Sequence, residues 1–187
     1  MYETSEFRKG LKIEIDGNPY IMIDCQFVKP GKGQAFTRTR IKNLATGAVL
    51  DRTFRSGERV DKPQLDEMPM QFMYAVGDSY HFMNNQTYEQ VEVPREQLGD
   101  SWQWLVENMD VTVLFHNGIA ISVDVPIFVE LHITECEPGV KGDTRSNATK
   151  PAVLSTGAKI QVPLFVENGE WIRVDTRTGS YVERVKR

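Results

Sequence analysis

The stretch Phe27-Val28-Lys29-Pro30-Gly31-Lys32-Gly33-Gln34-Ala35-Phe36 decides how this chain is read. An apolar run enters it, Tyr20-Ile21-Met22-Ile23 and then Phe27-Val28, and an alternating run through Phe36, Arg38 and Arg40 leaves it. Two such runs around Pro-Gly-x-Gly predict a β-hairpin, because proline presets φ and glycine supplies the positive φ of a tight reversal. Lys32 then stands at the tip between two residues without side chains, with nothing to shield it. Spacing alone leaves two readings open: a working lysine, or a hairpin whose charges discourage edge pairing.

Working outward, residues 3–63 read as all-β. Leu11-Lys12-Ile13-Glu14-Ile15 alternates apolar and charged, Asp16-Gly17-Asn18-Pro19 turns, and Tyr20-Ile21-Met22-Ile23 resumes. Beyond the hairpin, 36–44 forms another strand, Ala45-Thr46-Gly47-Ala48 turns, and 49–54 runs back. Short strands this closely spaced predict a small SH3-like barrel. Arg38, Arg40 and Lys42 alternate and so share one face of their strand. With Lys29 and Lys32 they make a basic stripe, read either as an RNA-facing surface or as a solvated sheet face.

The net charge of -4 is unevenly distributed. Residues 1–63 carry 12 Lys and Arg against 8 Asp and Glu, and residues 127–187 carry 9 against 8. Residues 64–126 carry Arg95 alone against 10 carboxylates. The two ends can meet a polyanion and the middle would be repelled by one. The balance changes at Asp61-Lys62-Pro63-Gln64, which places the first domain boundary.

In the middle segment, strands are expected over 68–76, 79–84 and 88–93, followed by a short helical turn at Pro94-Arg95-Glu96-Gln97. Trp102, Leu105, Val106 and Met109 fall at i, i+3, i+4 and i+7 and predict an α-helix, with Asp100 and Gln103 as a capping box. Strands over 110–115 and 119–125 complete the plan of an oligonucleotide-binding (OB) barrel. The last third is again strand-rich, broken by the polar loop 138–151. Val125-Pro126-Ile127-Phe128-Val129-Glu130 returns as Val162-Pro163-Leu164-Phe165-Val166-Glu167, a weak hint of two related barrels. The expected architecture is all-β in three small barrels: an SH3-like domain over 1–63, an acidic OB domain over 64–126, and a C-terminal OB domain over 127–187.

No apolar run approaches the length of a membrane span, and the first residues lack the apolar core of a signal peptide, so a cytoplasmic location is expected. Cys25 and Cys136 are isolated and read as small buried apolar residues; His81, His116 and His132 are scattered, and no metal site or cofactor is expected. No nucleophile, phosphate loop or metalloprotease signature occurs, which argues against an enzyme. Gly142-Asp143-Thr144 lies in the long loop, with Lys141, Arg145 and Lys150 around it as cations for phosphates. It reads as an RNA contact or as a plain surface loop.

Several long words in order give the chain a whole-length resemblance to the bacterial elongation factor P family. They are the stretch 27–36, Thr53-Phe54-Arg55-Ser56-Gly57, Phe82-Met83-Asn84-Asn85, Pro138-Gly139-Val140-Lys141-Gly142-Asp143-Thr144, the run 150–157, Val162-Pro163-Leu164-Phe165-Val166, and Val174-Asp175-Thr176-Arg177-Thr178-Gly179. The resemblance implies an L-shaped, tRNA-sized protein with a KOW-like (SH3-like) domain and two OB domains. Such a factor binds the ribosome between the P and E sites and relieves stalling at consecutive prolines. Its partners would be the ribosome, peptidyl-tRNA, mRNA at the E site and a lysine-modifying ligase; a monomer without membrane contact is expected. Carried over by residue, Lys32 resembles the tip residue, extended in many bacteria by a post-translational addition, and its context resembles factors that receive a β-lysyl group. Lys29, Pro30, Gly31, Gly33 and Gln34 would shape the tip loop. Gly142, Asp143 and Thr144 match the loop directed at the E-site codon, and Tyr181 and Arg184 match positions linked to tRNA or ribosome contact. Alternative readings are an elongation factor P-like paralogue and a free OB-fold RNA-binding protein. Trp102 and Trp104 belong to no pattern of the resemblance.

Overall fold

Leu11, Ile13 and Ile15 alternate with Lys12 and Glu14, and in the computed structural model, which describes residues 1–139 and 148–187, this alternation becomes a half-buried strand. The first six strands are β1 Tyr2–Glu3, β2 Lys12–Ile15, β3 Asn18–Val28, β4 Phe36–Asn43, β5 Val49–Arg55 and β6 Arg59–Val60. β2 to β5 form one antiparallel sheet in sequence order, while β1 pairs with β6. Their apolar faces close on Leu11, Ile13, Ile15, Met22, Ile41, Phe54 and Val60. Burying each such side chain contributes roughly 1.5–3 kcal/mol, so this small core is what holds the hairpin's base.

Five strands follow: β7 Leu65–Val76, β8 Ser79–Met83, β9 Gln90–Pro94, β10 Asp110–His116 and β11 Ile119–Asp124. A short α-helix, α1 Arg95–Leu98, and a 3-10 segment, Gly99–Trp104, stand between β9 and β10. The last five are β12 Phe128–Cys136, β13 Thr149–Leu154, β14 Lys159–Pro163, β15 Trp171–Asp175 and β16 Ser180–Val185. The sheet orders are β11-β10-β7-β8-β9 and β14-β13-β12-β15-β16. Counted from each group's first strand, both read 3-2-1-4-5 or its reverse. In the last group β14 also approaches β16, so the sheet curls towards closure, as an OB barrel does. The fold is all-β with KOW-like and OB architecture. By compactness the chain divides into Met1–Met68 with Val113–Ser122, and Pro69–Thr112 with Val123–Arg187.

Three expectations need correction. The helix predicted from Asp100 to Met109 is a 3-10 segment that stops at Trp104, and Leu105 is already extended at φ -81, ψ 118. Gly99 at φ 58 ends α1, and no side-chain cap bond opens the 3-10 segment. Neighbouring Trp104 and Leu105 are both buried, and Trp104 sits in the core of the β12–β16 sheet. Tertiary packing therefore overrides the local periodicity. The repeated Val-Pro-x-Phe-Val-Glu words are not equivalent in space: the first leads into β12, whereas the second leaves β14 for a turn. The two barrels share strand order without sharing that phrase. Cys25 and Cys136 are only half-buried; burial, followed by the neighbouring Asp24 carboxylate, pushes the Cys25 thiol pKa up.

Candidate functional site

The β3–β4 ladder runs without a gap in its last rungs to Val28↔Phe36, and the seven residues 29–35 form the loop between them. The expected hairpin is present with a wider tip than a two-residue turn. Arg55 of β5 pairs with Phe36, and the Ser56 N–H donates to the Ala35 carbonyl at 3.0 Å. One side of the loop is thereby tied to a third strand. Gly33 adopts φ 106, a conformation strained for any residue with a Cβ. Lys29, Gly31, Lys32, Gly33 and Gln34 are exposed and Pro30 is half-buried. Among the described residues no carboxylate lies within ion-pair distance of Lys29 or Lys32.

Below the tip, β4 keeps the expected alternation: Thr37, Thr39 and Ile41 are buried, while Arg38, Arg40 and Lys42 are exposed. The three cations are not equivalent. Arg40 faces Asp24 on β3 and Asp51 on β5, and its Nε lies 3.2 Å from Asp51 Oδ1. Arg38 faces Gln26 and Thr53, with its guanidinium 5.6 Å from the Phe36 ring centre. Lys42 faces Ile21 and Val49. Arg52, over the Phe54 ring at 5.5 Å, and Arg55 add cations that the alternation of β4 alone does not reveal. Since Arg40 is already partnered, Arg38→Ala should lower the salt slope of RNA or ribosome binding by about 1, and Arg40→Ala by clearly less. Binding titrations over a range of salt check this; equal slopes for the two variants would contradict it.

In the last sheet, Tyr181 and Arg184 are three residues apart and on a plain strand would face opposite ways. A register shift between Arg173 and Val174 instead sets Tyr181 opposite Val174 and Arg184 opposite Ile172. Both partners are core residues, so the bulge brings the two predicted side chains into one phase. Tyr181 packs against the core, and its phenol pKa is raised, chiefly by burial. Arg184 lies over the Phe165 ring at 4.8 Å, with its Nη1 3.4 Å from Glu170 Oε1. Gly142, Asp143, Thr144, Lys141 and Arg145 lie outside the described residues. Lys150 overturns its reading as a phosphate-binding cation: it is 3% exposed, and its Nζ donates to the Glu137 carbonyl at 2.5 Å. Its alternation within β13 carried the signal, since Lys150, Ala152 and Leu154 are the buried set.

Comparison with known proteins follows the same order along the chain. The profile described as Elongation factor P (EF-P) KOW-like domain matches residues 3–60, the Elongation factor P (EF-P) OB domain matches 65–123, and Elongation factor P, C-terminal matches 129–184. Elongation factor P of Natranaerobius thermophilus is 50% identical over 186 residues, 100% of this chain and 99% of that protein. That of Moorella thermoacetica is 51% identical over 98% of this chain and 100% of its own length. The chain belongs to the elongation factor P family. A further elongation factor P, from Helicobacter hepaticus, is 52% identical over 97% of each chain. Among solved structures, eukaryotic translation initiation factor 5A from Methanococcus jannaschii superposes with a TM-score of 0.54 at 24% identity. It covers 64% of this chain and 88% of its own, a likeness of fold. In elongation factor P terms, the 27–36 hairpin lies in the KOW-like domain and Trp104 comes from the segment matched by the OB domain.

Proposed function

We propose that this chain acts in translation elongation as a positioning factor on the ribosome, with Lys32 as the working tip. The observation that carries the reading is a lysine at the exposed end of a loop anchored by three strands, in a chain of this family. Proline is a hindered participant in peptide bond formation because its ring fixes φ and its nitrogen is substituted. A side chain held beside the peptidyl-tRNA acceptor end would reduce the disorder lost on reaching attack geometry. The factor supplies no reacting group and needs no cofactor; the peptidyl transferase remains the ribosome's.

In this reading the domains are 1–63, 64–126 and 127–187. Lys32 receives a post-translational extension ending in an amine, added by a lysine-modifying ligase, because an unextended lysine reaches only a few ångströms beyond the loop. Pro30, Gly31 and Gly33 keep the tip narrow, and Lys29 and Gln34 flank it. Arg38, Lys42 and, more weakly, Arg40 meet tRNA phosphates. Gly142, Asp143 and Thr144 meet the E-site codon, and Tyr181 and Arg184 meet tRNA or ribosome. The chain works as a cytoplasmic monomer without membrane contact. Competition binding tests the class of function: programmed ribosomes should outcompete bare single-stranded RNA for the purified chain. Preference for the bare RNA would overturn the reading in favour of a free RNA-binding protein.

A further inference from the structure

The junction Asp61-Lys62-Pro63-Gln64 separates the segments matched by the KOW-like and OB profiles, and such a linker ordinarily leaves its neighbours free to turn. Here both of its ends are tied. The Glu14 N–H of β2 donates to the Asp61 carbonyl at 2.8 Å, in an isolated antiparallel bridge. The Asn117 N–H, in the turn from β10 to β11, donates to the Gln64 carbonyl at 3.2 Å. A side-chain bond closes the ring, with His116 Nε2 at 2.7 Å from Glu14 Oε1. Pro63, between the two ties, is buried. All of these residues belong to one compact unit, Met1–Met68 with Val113–Ser122.

The side-chain bond is well covered. Glu14 stands on the polar face of β2 between Ile13 and Ile15, where alternation alone would leave it solvated. Its side chain is nevertheless only 22% exposed, and that of His116 10%. A carboxylate only accepts, so Nε2 carries the proton it shares with Glu14. Asn117 at φ 50 and Gly118 at φ 80 form the two-residue turn whose twist suits its strands, which fixes where His116 leaves β10. Removing either partner would leave the other covered and unpaired, a larger loss than the exposed Lys12–Glu67 contact of the same strand could give at 3.8 Å.

Glu14 reaches the tip through the sheet itself: β2 pairs with β3, and β3 runs out to Val28 at the base of the loop 29–35. Play at the junction would be carried along that sheet to Lys32, whereas the closed ring makes the sheet and the β10–β11 turn one body. We propose that Glu14 and His116 are positioning residues for Lys32, which act by locking the junction. The inference rests on the translation-factor reading.

Its test is the rate of proline–proline bond formation on purified ribosomes over a concentration series of the full chain. Glu14→Ala and His116→Ala should each cut the saturating acceleration roughly three- to tenfold, while the half-saturating concentration moves by less than about twofold. The double variant should be no worse than either single one, because both remove the same bond. Glu14→Gln keeps an acceptor for the Nε2 proton and should keep the acceleration. His116→Asn loses the Nε2 donor and should lose it. These two variants decide the matter if the alanine variants fail to fold. Lys12→Ala, which removes only the exposed pair, should behave as wild type. Amide exchange on the free chain reads the lock without the ribosome: protection of the Asn117 N–H should fall about tenfold or more in His116→Asn. Unchanged acceleration in His116→Asn, a loss in Glu14→Gln, additive losses in the double variant, or unchanged Asn117 protection overturns the proposal. A wild-type chain that accelerates no proline–proline bond overturns the translation-factor reading first, and this inference with it.

Discussion

Replacing Lys32 with alanine is expected to remove rescue of a Pro-Pro-Pro reporter while leaving the fold untouched. The side chain is exposed, and the ladder that holds its loop, closing at Val28↔Phe36 and Phe36↔Arg55, is made by the backbone. Exposed substitutions of this kind change stability by about 0.5 kcal/mol or less, so the melting temperature should move by no more than a degree or two. Activity should fall to the level of cells lacking the factor, because no neighbouring side chain shares the tip position. Lys29→Ala provides the control: it removes a charge from the same loop and should reduce rescue without abolishing it. Lys32→Arg keeps the charge and loses the amine that a ligase would extend, so it should resemble alanine. Wild-type rescue by Lys32→Ala would return the hairpin to a charge-protected edge.

The largest effect on stability is expected from Trp104→Ala. Trp104 is 4% exposed and belongs to the buried cluster that includes Val129, Leu131, Ile133, Leu154, Ile160, Val162 and Val174. Its ring edge lies about where a Cβ on Gly179 would make ordinary contact, at 3.6 Å, and the Thr156 hydroxyl bonds the adjacent Gln103 carbonyl at 2.5 Å. The segment before β10 is thus fastened to the β12–β16 core chiefly by this large side chain, with Val106 and Met109 packed against the same core and a hydrogen bond beside it. Truncation of a buried tryptophan costs about 3–5 kcal/mol, which for a chain of this length lowers the melting temperature by roughly 10 °C. Calorimetry checks it. A loss below about 3 °C would mean the indole is peripheral to that core. Trp102→Ala should cost much less, because Trp102 is only partly buried, under the Arg95 guanidinium at 3.6 Å.

The contrast between these two tryptophans shows where the sequence was legible. Alternation made the strands of the first sheet plain, because Thr37, Thr39 and Ile41 face inward and Arg38, Arg40 and Lys42 outward. The hairpin was equally plain, since proline presets φ and glycine can adopt the positive φ of a reversal, as Gly33 does at φ 106. The segment 100–109 was misread because a helical spacing of apolar residues assumes one core, and Trp104 answers to the core built by β12 to β16. Local periodicity holds no record of which sheet a side chain will reach. Arg40 illustrates a second limit. Its exposure was readable, whereas its pairing with Asp51 depends on the β4–β5 register, which brings together residues eleven apart. Lys150 is a third, a charged residue of a polar loop that its place in β13 turns inward onto a backbone carbonyl.

The most direct test of the central claim is the rate of a single proline-to-proline peptide bond on purified ribosomes, measured by rapid quench with and without the chain isolated from its own host. The account predicts an acceleration of roughly tenfold or more with the wild-type chain, confined to proline-containing pairs and absent with Lys32→Ala. An identical rate with and without the saturating wild-type chain would contradict it.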